Sequence, residues 1–271
     1  MLRDADRGLR AALSRRSLAA ALFVALAAFM AWILWPQFVP DESLRRVRES
    51  GVLRVGMEAT FPPFETTDGA GNFGGLDVDL AQTLAASLGV QAEFANLSYD
   101  TLYDALAARR ADVLISMMVV EPERTADVTY SPPYFDAGLL LVVGEGSTEI
   151  TGTAGLVGRR VAVEAGSVAE EEVRRLTGFV RGLTILTFSE PEPALAAVAQ
   201  AEADAAVSDP VSLAAFRRAG GKLTAVGPRL TSETYSVVTL RGDRALAEEA
   251  ARIVEGLRAT GELDRLAAKW F

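Results

Sequence analysis

Cysteine and histidine are both absent from this 271-residue chain. Without cysteine there are no disulfides, no thiolate nucleophile and no lipid carried on sulfur. Without histidine, imidazole-based triads and Cys/His metal sites are excluded too. A carboxylate-only cation site would need regularly spaced acids, and no EF-hand-like spacing occurs, so neither metal nor cofactor is expected. Basic residues are also outnumbered by acidic ones outside one segment. Residues 1–40 hold five arginines and two aspartates, a net +3, whereas the remainder carries 22 basic and 34 acidic groups, a net −12. An acidic body argues against a nucleic-acid partner, because that binding runs through Lys/Arg contacts to phosphate.

A single long apolar run is present. Arg3, Arg7, Arg10, Arg15 and Arg16 precede Leu18–Trp35, which carries no charge. As a helix these 18 residues reach roughly 27 Å, about the hydrocarbon thickness of a bilayer. The run ends in Trp32, Ile33, Leu34, Trp35 and Pro36. Paired tryptophans suit the headgroup boundary, and the arginines keep the N-terminus cytoplasmic. The reading is a basic cytoplasmic segment over 1–16, a single-pass transmembrane anchor over 17–35, a stiff linker over 36–43 and a body outside the cell membrane. A signal peptide cleaved after about residue 35–40 is the alternative.

Beyond the linker, apolar runs of strand length alternate with amphipathic stretches of helix length, which implies βα units and parallel sheets. Strands are predicted over 53–57, 113–118, 139–143, 161–163, 183–188, 205–207 and 235–240. Helices are predicted over 78–88, 99–109, 194–200, 211–218, 245–260 and 262–269. A further helix opens at Ser167, with Glu170 at capping-box spacing. Ala105–Ser116 aligns without a gap to Ala197–Ser208 at five of 12 positions, which suggests two lobes of similar build.

The densest motif is Ala111–Phe135, ADVLISMMVVEPERTADVTYSPPYF. A buried strand runs into a Glu-Pro-Glu-Arg turn, placing Arg124 beyond a strand's carboxyl end, where open α/β sheets hold ligands. Its guanidinium offers a planar fork for a carboxylate; a solvated surface arginine is the plain alternative. Other motifs keep a definite order. Leu53-Arg54-Val55-Gly56 is followed by Thr60-Phe61-Pro62-Pro63-Phe64-Glu65 and by Gly75-Leu76-Asp77-Val78-Asp79-Leu80-Ala81. Tyr130-Ser131-Pro132-Pro133-Tyr134 comes next, then Gly158–Val163 with Gly166-Ser167, Ala203–Asp209, and a Lys269-Trp270-Phe271 ending.

Together these motifs, over about residues 44–271, resemble the family-3 extracellular solute-binding proteins, the polar amino-acid receptors of ABC importers. The resemblance implies an α/β, two-lobed, type II periplasmic-binding-protein fold whose chain crosses between lobes twice. The crossings are expected near 138–142 and 234–238, with lobe 1 formed by 44–138 plus 239–271 and lobe 2 by 142–234. It also implies a monomer that captures an amino-acid-like ligand by closure and hands it to an ABC permease. Phe61 falls on the family's stacking aromatic and Tyr99 near the opposite wall, whereas Phe64 reads as core. Arg124 is implied as the carboxylate clamp and Asp209 as the partner of the ligand's α-amino group. Asp209 could equally cap the helix that follows it. Ser167 and its backbone N–H are a further carboxylate site.

Several residues depart from the family pattern. Met117, Met118 and Val119 stand where small or hydroxyl residues are usual, Glu121 replaces a threonine, and Val168 replaces a second-lobe threonine. Methionines would give that wall a soft apolar lining. Glu58, Glu121, Glu164 and Asp209 gathered near one cleft would favour a cationic ligand. The same fold carries cyclohexadienyl dehydratase-type lyases, for which Glu58, Glu121, Glu164 or Glu170 would be the candidate acid. A sensory ectodomain is a third possibility. No enzymatic activity is expected.

Overall fold

A computed structural model describes residues 23–26, 29–30 and 41–271 of the chain. Contacts divide it into Met1–Glu42 and Ser43–Phe271. Among the described residues no helix is long and apolar enough to cross a membrane; the predicted anchor over 17–35 lies mostly outside them.

In Ser43–Phe271 the elements run in chain order. Helix α1 (Ser43–Ser50) leads into β1 (Val52–Met57), β2 (Thr60–Phe61), β3 (Glu65–Thr67) and β4 (Phe73–Gly74), then α2 (Leu76–Leu88), β5 (Gln91–Asn96), α3 (Leu102–Ala107), β6 (Val113–Leu114), β7 (Val128–Tyr130) and β8 (Phe135–Asp136). Next come β9 (Leu140–Gly144), β10 (Arg160–Glu164), α4 (Val168–Thr177), β11 (Thr184–Phe188), α5 (Pro191–Ala199), β12 (Ala205–Ser208), α6 (Pro210–Arg218) and β13 (Leu223–Val226). The chain ends with β14 (Thr234–Tyr235), β15 (Val238–Leu240), α7 (Arg244–Ala259) and α8 (Glu262–Trp270).

Two five-stranded sheets share one plan. The first is ordered β5-β1-β6-β15-β7 and the second β11-β10-β12-β9-β13. In each, three parallel strands are followed by one reversed strand and then a fifth that pairs antiparallel with it. Parallel strands are covered on both faces, which accounts for the apolar composition of Val55–Met57 and Val161–Val163. Each sheet has its own buried clusters. Leu53, Leu80, Leu84 and Ile115 anchor the first; Leu156, Val161, Val173 and Leu195 anchor the second.

Between the sheets the chain passes twice, and the passages pair as a two-stranded ribbon, β8 with β14. Asp136 fastens them: its carboxylate accepts the N–H of Gly138 (2.8 Å) and of Glu233 (3.0 Å) and the Ser232 hydroxyl (3.2 Å). Burial would raise Asp136, but those N–H groups and the nearby Arg229 outweigh it and hold it below the usual carboxylate range. Only glycine fits at 138, since a Cβ there would stand 2.0 Å from the Thr231 carbonyl oxygen.

Three predicted elements are shorter than expected. The strand over 113–118 stops at Leu114, because Met117 turns to φ 48° and gives its N–H to Asp77 (2.9 Å) instead of a neighbouring strand. The helix over 99–109 begins as a 3₁₀ turn, Tyr99–Thr101, and ends when Arg109 adopts φ 55°. The strand over 235–240 is two, since Tyr235 joins the ribbon and Val238 the first sheet.

Candidate functional site

A cavity of about 250 Å³ opens at the carboxyl ends of β10 and β12, beside the crossing segments. Its polar lining is Glu164, Ser167, Ser208, Asp209, Thr231 and Glu233, and Val168 and Leu139 are among its apolar walls. The N-termini of α4, α5 and α6 border it. Ser167 caps α4 by accepting the Glu170 N–H (3.2 Å) while Glu170 accepts the Gly166 N–H (2.7 Å), a variant of the box expected from the spacing in which the acid reaches one residue beyond the cap. The Gly166 N–H and then Arg174 hold Glu170 below the usual carboxylate range. Asp209 caps α6, accepting the Ser212 N–H (2.9 Å) and hydroxyl (2.6 Å). Capping and cavity lining are thus combined in Asp209 rather than alternative. Val168, 65 % exposed in the first turn of α4, lends the wall an apolar face.

The other sequence-derived candidates sit on the first lobe, and none of them lines this cavity. Phe61 projects from β2 with 45 % of its surface exposed. Glu58 accepts the Tyr99 N–H (3.2 Å), fixing the start of that turn. Arg124 lies 4.6 Å from the centre of the Tyr103 ring, with its Nε 3.5 Å from Glu121. Tyr103 donates to Glu121 (3.2 Å), and its oxygen lies 2.9 Å from that of Tyr130. Burial, then the hydrogen bond with Tyr130, pushes the Tyr103 phenol upward, so it stays a neutral donor. The guanidinium is thereby held over an aromatic face, and its Nη groups have no hydrogen-bond partner among the described residues. Neither Tyr103 nor Tyr130 was singled out as a site residue from the sequence, because Tyr103 falls inside the helix predicted over 99–109 and Tyr130 reads only as the start of the Tyr-Ser-Pro-Pro-Tyr motif.

The methionine wall is narrower than expected. Met118 is fully buried in the first-lobe core and Met117 is half-buried against it; Val119 is exposed and bridges to Tyr235. The expected carboxylate set also changes. Glu58 and Glu121 have protein partners, Glu164 and Asp209 share the cavity, and Glu233 joins them from the second crossing.

Behind the first-lobe face, Glu65 and Asp77 form a fully buried acid pair. Ser116 donates to Glu65 (2.7 Å); Tyr134 (2.8 Å) and the Met117 N–H (2.9 Å) donate to Asp77. Burial, reinforced by the Asp77 charge, pushes Glu65 up to about 10. Burial likewise raises Asp77. The pair therefore keeps a proton at neutral pH.

Two similar α/β lobes, joined by a paired crossing with a cavity alongside, define a two-lobed binding fold of the type II periplasmic kind. Residues 53–271 match the bacterial extracellular solute-binding proteins, family 3, and the chain belongs to that family. It is 28% identical over 261 residues to the L-cystine-binding protein TcyJ of Escherichia coli strain K12, covering 96% of each chain. To the L-arginine-binding protein of Pseudomonas aeruginosa it is 29% identical over 228 residues, covering 81% of this chain and 87% of that one. Among solved structures, an ancestral cyclohexadienyl dehydratase matches with a TM-score of 0.74 at 26% identity, covering 86% of this chain and 98% of the other.

Proposed function

We propose that this protein captures an amino acid or related zwitterion with a cationic side chain between its lobes and delivers it to an ABC importer. It works outside the cell membrane, tethered by the N-terminal segment. The observation that carries the reading is the cavity beside the crossing, where Glu164, Asp209 and Glu233 have no cationic partner among the described residues. A ribbon only two residue pairs wide suits rotation of one lobe towards the other, which would bring Arg124 and Phe61 over the bound solute. An arginine clamp on one lobe and an acid on the other match the two ends of a zwitterion.

Likeness to a dehydratase gives a second reading, an acid-catalysed lyase. It is less well supported, because the acid pair that burial raises, Glu65 and Asp77, is fully buried and outside the cavity. Isothermal titration against the common amino acids, with prephenate and arogenate turnover assays alongside, tests both readings. Saturable binding of arginine, lysine or ornithine without turnover supports capture. Turnover, or binding confined to acidic amino acids, overturns it.

A further inference from the structure

The two lobes repeat one arrangement at the ends of their central strands, and its polar groups are satisfied in only one of them. Val55 pairs with Val113 and Gly56 with Leu114, just as Val161 pairs with Ala205 and Ala162 with Ala206. By that register Glu164 is the counterpart of Glu58, and Ser208 the counterpart of Ser116.

In the first lobe both polar groups have protein partners. The Ser116 hydroxyl donates to Glu65 (2.7 Å) and accepts the Glu58 N–H (3.1 Å), and the Glu58 carboxylate accepts the Tyr99 N–H (3.2 Å). In the second lobe the partners are missing. Ser208 is 6 % exposed, and its hydroxyl has no partner among the described residues. The Glu164 carboxylate has neither an ion pair nor a side-chain hydrogen bond among them. Both residues line the cavity. A buried hydroxyl without a partner is rare in a folded protein, and here it borders an open space. Glu233 reaches the same space from the second crossing. One of its oxygens accepts the Tyr235 hydroxyl (3.0 Å), leaving the other available.

We propose that Glu164, Ser208 and Glu233 form the subsite for the cationic end of the ligand, a guanidinium or ammonium group. The inference rests on the solute-binding reading above and assigns the pole of the ligand that this subsite holds. A guanidinium has five N–H donors and no acceptor, matching two carboxylates and one hydroxyl oxygen. Because Glu233 belongs to the crossing itself, a cation held there would also tie occupancy to lobe movement.

L-Arginine and L-citrulline separate the two levels of the argument, since citrulline keeps the length and both α-groups of arginine but carries no side-chain charge. Isothermal titration of the full chain in detergent should show wild-type preference for arginine of at least about tenfold, the equivalent of one charge-assisted contact. Glu164→Gln and Glu233→Gln should each cut the arginine-to-citrulline ratio by about three- to tenfold, with citrulline affinity little changed. Ser208→Ala should weaken arginine by a similar factor. An unchanged ratio in both glutamine variants, with circular dichroism intact, overturns the subsite while arginine capture stands. Wild-type binding of only neutral or acidic amino acids also overturns it. A folded protein that binds no amino acid overturns the functional reading and the subsite together.

Discussion

Asp112 and Asp204 do the same task in the two lobes. Asp112 accepts the Arg54 backbone N–H (3.0 Å), Nε (2.9 Å) and Nη2 (2.7 Å); Asp204 accepts the same three groups of Arg160, at 2.7, 3.2 and 3.2 Å. Each arginine also reaches the carbonyl of a residue with positive φ that ends the preceding helix, Arg109 in one lobe and Ala201 in the other. The bracket thus joins a central strand to the helix–strand turn beside it. Asp112 is 4% exposed and Asp204 25%. Replacing Asp112 by Ala should cost about 1–2 kcal/mol, discounted because Arg54 is partly in solvent. Asp204→Ala should shift the urea midpoint less. Equal shifts for both variants would show that burial does not set the strength of the bracket.

The acid pair should give stability an unusual pH dependence. Glu65 is raised from an ordinary 4.5 to about 10, so over that interval the folded chain holds a proton that the unfolded chain has released. Stability from this group is fully present below the lower value and is lost as pH rises towards the upper one. Glu65→Gln cannot ionise, yet keeps an acceptor for Ser116 and a donor for Asp77. Its thermal midpoint should therefore decline less than wild type between pH 6 and about 9. Parallel curves for the two proteins would mean that Glu65 is ionised in the fold.

Arg124 should act on the ligand rather than on the fold. In the described structure its guanidinium is 46% exposed and rests on Tyr103. Arg124→Ala should weaken binding of a zwitterion by about 1.5–3 kcal/mol, the worth of a hydrogen bond to a charged group, and leave the melting temperature nearly unchanged. Arg124→Lys should recover little, because an ammonium lacks the planar fork. Titration calorimetry on the three proteins decides the matter; full recovery by lysine would argue against a bidentate clamp.

The N-terminal segment should keep the chain on the membrane. Full-length protein is expected in the membrane fraction and to resist carbonate extraction, the outcome expected of an 18-residue apolar run with an aromatic end. A soluble species starting near residues 36–41 would instead establish cleavage.

Much of the plan was legible in the chain because parallel-strand runs such as Val161–Val163 are apolar throughout and helix starts such as Ser167–Glu170 carry their own capping signal. The repeat between Ala105–Ser116 and Ala197–Ser208 also carried structural meaning: its shared aspartate is the one that grips the strand arginine. The short strands β2, β3 and β4 were not legible, since two or three residues leave no periodicity to read. Strand β5 was missed because it lies at a sheet edge with exposed Gln91, Glu93 and Asn96 among its residues. Glu233 gave no local sign of a role. It sits in a polar stretch, Thr231–Thr234, and gains its place through pairing of Thr234 with Asp136, almost a hundred positions away. The free hydroxyl of Ser208 was equally hidden, because it depends on the second lobe lacking an equivalent of Glu65.

The strand order also sets a timetable for biosynthesis. Every strand of the second sheet lies between Leu140 and Val226, so that lobe can close as soon as this stretch has left the ribosome. The first sheet cannot. Between β6 and β7 it has an empty slot that only β15 fills, and Leu246, Ile253, Val254 and Leu263 of its core arrive later still. The half of the protein made first is therefore the half finished last, carrying two unpaired strand edges until Val238 emerges. A nascent chain stalled before Val238 should present a folded second lobe beside a sticky, unfinished first one, and that interval is when a holding chaperone would be needed.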